Sequence, residues 1–129
     1  MDQDRESGER ARRFGKSAAI QCGALLKATR LSKRSNEFEY RGERICIKSA
    51  RLGNKRIMAT NALTDRVKAF VVALEIAPSI FELFYVPKRV FRRRSKPMRS
   101  RRFEGKAREI DRESLVDQKC IRRAVKLKS

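Results

Sequence analysis

The chain has 129 residues, about one ordinary domain, with 34 Lys+Arg against 15 Asp+Glu, a formal net charge of +19 and a pI near 11. Hydrophobic residues at 40% supply one modest core rather than two, and the absence of histidine excludes Ser-His-Asp, Cys-His and His-ligated metal sites. Three single cysteines, Cys22, Cys46 and Cys120, form no CxxC pair, which excludes zinc-finger and thioredoxin-like chemistry.

An odd cysteine count with no signal-like segment points to a reducing, intracellular and cytoplasmic setting, with the nucleus left open. The longest apolar run, residues 69–74, is far short of the roughly 20 residues a spanning helix needs, so no membrane partner is expected. A charge of this size attracts polyanions by counterion release, before any motif is considered.

In chain order, residues 1–8 read as a polar, frayed tail. Ala11, Phe14, Ala18, Cys22, Leu25 and Leu26 then recur at spacings of three and four, with Arg10, Arg12, Arg13 and Lys16 on the opposite side. This spacing predicts a helix over about 5–28, in which Gly15 and Gly23 permit close packing. After a polar loop over 31–36, two alternating segments, 37–40 and 43–48, flank Arg41-Gly42 as a two-residue hairpin turn. The implied register pairs Tyr40 with Glu43, Glu39 with Arg44, Phe38 with Ile45 and Glu37 with Cys46. Phe38, Ile45 and Ile47 then face the core, while Glu37, Glu39, Arg44, Cys46 and Lys48 share the other face.

Residues 49–56 form a basic connection turning at Gly53-Asn54, residues 57–60 a third strand, and Thr64-Asp65 the cap of a short turn. The run 69–76 is apolar almost throughout, as in a strand buried on both faces. After a break at Ala77-Pro78-Ser79 comes a fifth strand over 80–86, which at a sheet edge would offer a homodimer interface. A helical turn follows over 88–91. Residues 88–102 hold nine Lys/Arg and no acid, the composition of a solvated arm, placed at 92–106, and also of a nuclear localisation signal. Ile110, Leu115, Cys120, Ile121, Ala124 and Val125 suggest a helix over about 109–127 in a C-terminal segment 107–129. The expected fold is mixed α/β (α+β), with an N-terminal helix, a central mixed sheet of about five strands in a core over 9–91, a basic loop and a C-terminal helix.

The segment 42–51, Gly-Glu-Arg-Ile-Cys-Ile-Lys-Ser-Ala-Arg, resembles the strand ending in (D/E)xK followed by Ser-Ala in the restriction-endonuclease-like, or PD-(D/E)xK, superfamily. The likeness spans about residues 37–86. It implies a core in which carboxylates on two neighbouring strands hold a divalent metal that activates water against a phosphodiester, with a lysine two residues past the second acid. On this likeness Lys48 matches the lysine, Glu37 is the candidate first acid with Glu39 as its alternative, and Cys46 stands where the second acid belongs. A thiol is a poor ligand for Mg²⁺. The resemblance therefore implies a degenerate site that keeps only affinity for nucleic acid. The rival implication is an active Mg²⁺ nuclease using Glu37, Glu39 and Lys48, with Glu37 and Glu39 as metal ligands.

The residues also have plainer roles open to them. Lys48 fits a solvated strand end, Glu37 and Glu39 fit partners for Arg44, and Cys46 fits a small hydrophobe under a covering layer. The expected function is nucleic-acid binding, to DNA or RNA, through Lys48, Arg51, Lys55 and Arg56 beside the former site and Arg92, Arg93, Arg94, Lys96, Arg99, Arg101 and Arg102 in the arm. A third reading is a component of a larger nucleoprotein complex, or a phage-type inhibitor of one.

Overall fold

The computed structural model describes residues 2–33 and 35–129, with side chains from residue 8 onward; Met1 and Arg34 lie outside the described residues. Helix α1 spans Asp2–Leu25, so the segment expected as a tail over 1–8 is helical from Asp2. Its apolar stripe buries Ala18, Ala19 and Cys22, with Leu26 just beyond and Phe14 partly buried, whereas Ala11 and Leu25, expected in the same stripe, are exposed because they lie off the face that meets the sheet. The helix ends before residue 28 because Lys27 turns into the left-handed region (φ 56°). The Ala28 N–H then donates to Gly23 O (2.9 Å) and the Lys27 N–H to Ala24 O (3.2 Å), which satisfies the last carbonyls.

Strands β1 (Thr29–Arg30), β2 (Glu37–Tyr40) and β3 (Glu43–Ala50) follow. The β2–β3 register is the expected one at all four pairs, from Tyr40 with Glu43 to Glu37 with Cys46. Arg41 (φ 51°) and Gly42 (φ 78°) both take positive φ, the geometry of a tight two-residue turn whose twist matches the flanking strands. Beyond β3 the chain forms β4 (Arg56–Thr60) and α2 (Asn61–Arg66), then returns as β5 (Ala69–Ala77) and β6 (Ile80–Pro87). The turn expected at Thr64-Asp65 is this short helix, and its cap is Thr60, whose Oγ1 accepts the Leu63 N–H at 3.2 Å. Helix α3 (Lys88–Arg94) extends the single turn expected over 88–91.

The remainder departs from the sequence reading. In place of a C-terminal helix the chain builds β7 (Lys96–Pro97), β8 (Ala107–Asp111), a 3₁₀ turn (Arg112–Leu115) and β9 (Lys119–Lys126). The central sheet has six strands, in the order β1-β2-β3-β5-β6-β9, with β3 and β5 parallel and the other neighbours antiparallel. A second sheet, β4-β8-β7, takes the strand expected over 57–60 out of the central one. β9 pairs with β6, which is therefore an interior strand and not the open edge a dimer interface would use. Register shifts between Phe81 and Leu83 and between Leu83 and Phe84 interrupt the β6–β9 pairing. These irregularities split the apolar residues of 119–126 between the two faces of the sheet, and the result imitates a helical spacing. The basic segment 92–106 is likewise no free arm: Met98 N–H donates to Ala107 O (3.0 Å), and bonds from Phe103 to Ser100 and from Lys106 to Phe103 fold its tip.

The six-stranded sheet separates two apolar clusters where composition suggested one core. On one face α1 covers Phe38, Ile45, Ile47, Val71, Phe81 and Leu83. On the other, α2, α3 and the small sheet cover Cys46, Phe70, Val72, Leu74 and Phe84. The strand expected to be buried on both faces, 69–76, is so from Ala69 to Leu74, while Ile76 is half exposed.

Gly23 lies where α1 crosses β2. A Cβ at Gly23 would overlap the Phe38 ring, whereas one at Gly15 meets nothing within 4 Å. Gly23→Ala should destabilise the fold by about 1–3 kcal/mol, and Gly15→Ala should stabilise it by about 0.5–1 kcal/mol. Urea denaturation of the two variants reads both signs, and a stabilising Gly23→Ala would contradict this packing.

Candidate functional site

Glu37, Cys46 and Lys48 come together on the face of the hairpin that sequence assigned to them, but that face is covered. Cys46 is 1% exposed and Glu37 2%. A carboxylate so buried needs partners. Arg44 Nε donates to Glu37 Oε1 at 2.9 Å, and Arg66 reaches both oxygens, at 3.3 Å to Oε1 and 3.1 Å to Oε2. Hydrogen bonds from Arg66 above all, with Arg44, outweigh burial and hold the Glu37 carboxyl down at about 2. Arg44 faces Glu39 in the register, yet it bonds Glu37 diagonally, and Glu39 stays exposed.

Burial pushes the Cys46 thiol up to about 11, with the Lys48 charge working against that rise, so it is neutral and packs as a small apolar group. These donors do not fit Mg²⁺: both oxygens of the one buried carboxylate are engaged by guanidiniums, and the neighbouring ligand position is a protonated thiol. Among the described residues no group of three His, Cys, Asp or Glu side chains is placed to hold a metal ion.

Lys48 sits further along β3, where the covering layers end. There α1, the loop before β2 and the end of β3 enclose an open cleft of about 650 Å³. Arg12 and Lys16 enter it from the polar side of α1, Lys33 from the loop, and Lys48 and Arg51 from β3 and its exit. Its lining holds these five cations and no carboxylate among the described residues. Arg12, Lys16, Lys33 and Lys48 have no ion-pair partner among the described residues. Arg51 stands 3.8 Å from Glu75, a buried carboxylate that accepts the N–H groups of Leu52 (2.9 Å) and Ser79 (2.8 Å). Burial pushes the Glu75 carboxyl up, but those two N–H groups with Arg51 and Arg112 outweigh it and hold it below its ordinary value. Arg112 pins the same loop from the other side, donating to Arg51 O (3.0 Å), Asn54 O (3.2 Å) and Glu75 O (2.6 Å).

A second cleft, of about 620 Å³, opens on the small sheet and is lined by Arg56, Arg94, Lys96 and Arg99 with Glu109 and Asp111. The two clefts flank one loop, since Asn54 lines the first and Arg56 the second. Several cations expected to be free are already engaged. Arg56 pairs with Glu109 (3.2 Å) and Asp111 (3.4 Å), Arg92 with Asp65, and Arg94 with Asp117 (2.7 Å). Lys55, Arg93, Arg101 and Arg102 are exposed, and the Arg102 guanidinium lies 5.3 Å over the Phe103 ring.

Sequence reasoning passed over Arg12, Lys16 and Lys33 as ligand-facing groups. Arg12 and Lys16 carried a usable signal, a basic i,i+4 pair on the polar side of α1; Lys33 carried none. Comparison with protein-family models, curated proteins and solved structures found no match.

Two outcomes follow from this geometry. Because Glu37 titrates near 2 in the folded chain against 4.5 ordinarily, its stabilisation is complete above about pH 4.5 and is lost as pH falls toward 2. Glu37→Gln should therefore cost about 2 kcal/mol at pH 7 and flatten the acid-side loss of stability, as pH-dependent urea melts would show. Cys22, pushed up to about 12 by burial, and Cys46 should resist an aromatic disulfide reagent in the native protein, while the partly exposed Cys120 reacts. Thiol titration before and after denaturation should count one group and then three.

Proposed function

We propose that this protein binds the sugar-phosphate backbone of nucleic acid through the cleft between α1 and the end of β3, on a nuclease-like core whose metal site is degenerate. The observation that carries the reading is the lining itself. Arg12, Lys16, Lys33, Lys48 and Arg51 converge on one concave surface whose lining holds no acid among the described residues, and of the five Arg51 alone has a carboxylate beside it, Glu75 at 3.8 Å. A merely solubilising surface mixes signs, whereas phosphate binding needs one sign focused in a hollow. The loop between Arg51 and Arg56 joins this cleft to the second one, and Lys96, Arg99 and the exposed Arg93, Arg101 and Arg102 extend the cationic surface. Arg56, Arg92 and Arg94 contribute less, because a phosphate there must displace a carboxylate partner.

The nuclease-like part of the proposal is supported by the Ile-Cys-Ile-Lys segment, by the hairpin that sets Glu37 opposite Cys46, and by the parallel crossover from β3 to β5. Its degenerate character is supported by the chemistry of those residues. With Glu37 clasped by Arg44 and Arg66 and Cys46 neutral, the chain supplies a fixed internal cation where a nuclease needs an exchangeable one.

Affinity for a labelled oligonucleotide should fall with salt at a logarithmic slope of roughly −4, if about five phosphates are engaged. Lys48→Ala and Lys16→Ala should each reduce that slope by about one unit. Binding that is indifferent to salt, or unchanged in both variants, would remove the cleft from the interface. Incubation of plasmid with the protein and Mg²⁺ or Mn²⁺ should yield no cleavage. Cleavage abolished by Lys48→Ala would instead establish the active nuclease.

A further inference from the structure

The cleft contains more than phosphate-binding charge. The Arg51 guanidinium carbon sits over the Phe14 ring, 4.3 Å from its centroid, and Phe14 in turn stacks on the buried Phe81 at 5.9 Å and 26°. Phe81 is fully buried, so this three-layer stack is anchored in the core and rises to the cleft. The Arg51 side chain is 48% exposed, so part of it is open to the cleft. Its position is fixed in advance: Glu75 stands beside it, Arg112 holds its carbonyl, and Leu52 ties the loop to Glu75. A planar cation held in place and partly open to the cleft is a stacking platform for a nucleobase, and because it is already ordered, little conformational entropy is lost on binding.

Two further groups can serve a base edge as well as a phosphate. Asn36 and Asn54 line the cleft, and neither side-chain amide is hydrogen-bonded among the described residues. A side-chain amide offers a donor and an acceptor side by side, the pattern that base edges complement. The volume of the cleft, about 650 Å³, lies within the range of about 300–1,000 Å³ that small ligands occupy, enough for one or two nucleotides. Resting on the cleft being the nucleic-acid interface, we propose that it holds a single strand, with one base stacked on Arg51 and the flanking phosphates on Lys16, Lys33 and Lys48.

Fluorescence anisotropy with a labelled oligothymidylate, an oligouridylate and a duplex of equal length tests this. Either single strand should bind about tenfold tighter than the duplex. Arg51→Lys keeps the charge but not the plane, and Phe14→Leu keeps the packing but not the ring. Each should lower single-strand affinity by about three- to tenfold, a clearly larger loss than it causes in duplex affinity. Circular dichroism shows whether Phe14→Leu is folded, and Arg51→Lys, at a half-exposed position, stands as the test if it is not. Equal affinity for duplex and single strand, or an Arg51→Lys variant identical to the parent, overturns the stacking site. If Lys16→Ala and Lys48→Ala then still weaken both ligands alike, phosphate binding in the cleft stands without the stack. If no nucleic acid binds at low salt, both readings fall together.

Discussion

Burial of strand β3 on both faces is the constraint around which the rest is arranged. Ile45, Cys46 and Ile47 are each at most 1% exposed, with α1 over one face and the second layer over the other. No charged group can occupy the middle of such a strand without a partner brought in from elsewhere. A thiol at position 46 meets that condition unaided. The buried carboxylate on the neighbouring strand, Glu37, meets it through Arg44 and Arg66, reached across the hairpin and from α2. Polar chemistry is thereby displaced to the end of the strand, where Lys48 and Arg51 emerge beside the polar side of α1.

The distribution of charge follows from the same arrangement. A net +19 spread evenly would be a diffuse attraction. Instead, the smaller sheet and α3 spend part of their arginines on structure. Arg94 bridges α3 to Asp117 and Ser114, and Arg108 donates to the Ser95 hydroxyl (2.8 Å) and carbonyl (2.6 Å). Surface pairs of this kind contribute little stability each, but they occupy the cations that make them. In the cleft between α1 and β3, Arg12, Lys16, Lys33 and Lys48 keep no carboxylate partner among the described residues, and the loop that walls it is pinned by Glu75 and Arg112 from opposite sides.

Much of the hairpin and its surroundings was legible in the chain, because local signals there agree with tertiary demand. Alternation over 37–48 and a glycine in the turn specify one register, and a slip of one residue would bury Arg44 in place of Ile45. The 69–76 strand was legible because an unbroken apolar run has few other uses. The C-terminal strands were not legible. Their apolar residues serve two different faces across two register shifts, so no single period describes them. The basic segment 92–106 misled for a related reason: composition reports charge, not the pairing with β8 that folds it.

By itself the sequence determined the charge, the absence of histidine chemistry, the hairpin with its pairing of Glu37 and Cys46, and the stripe of α1, since each depends on residues within a few positions of one another. Only the tertiary structure decided that the face carrying Glu37 and Cys46 would be covered. That choice rests on the second sheet closing over Cys46 and on Arg66 arriving from 29 positions away to occupy Glu37. It also decided that Arg12, Lys16, Lys33, Lys48 and Arg51, scattered over the first 51 residues, share one hollow. Long-range packing brings such groups together, and no local pattern encodes it.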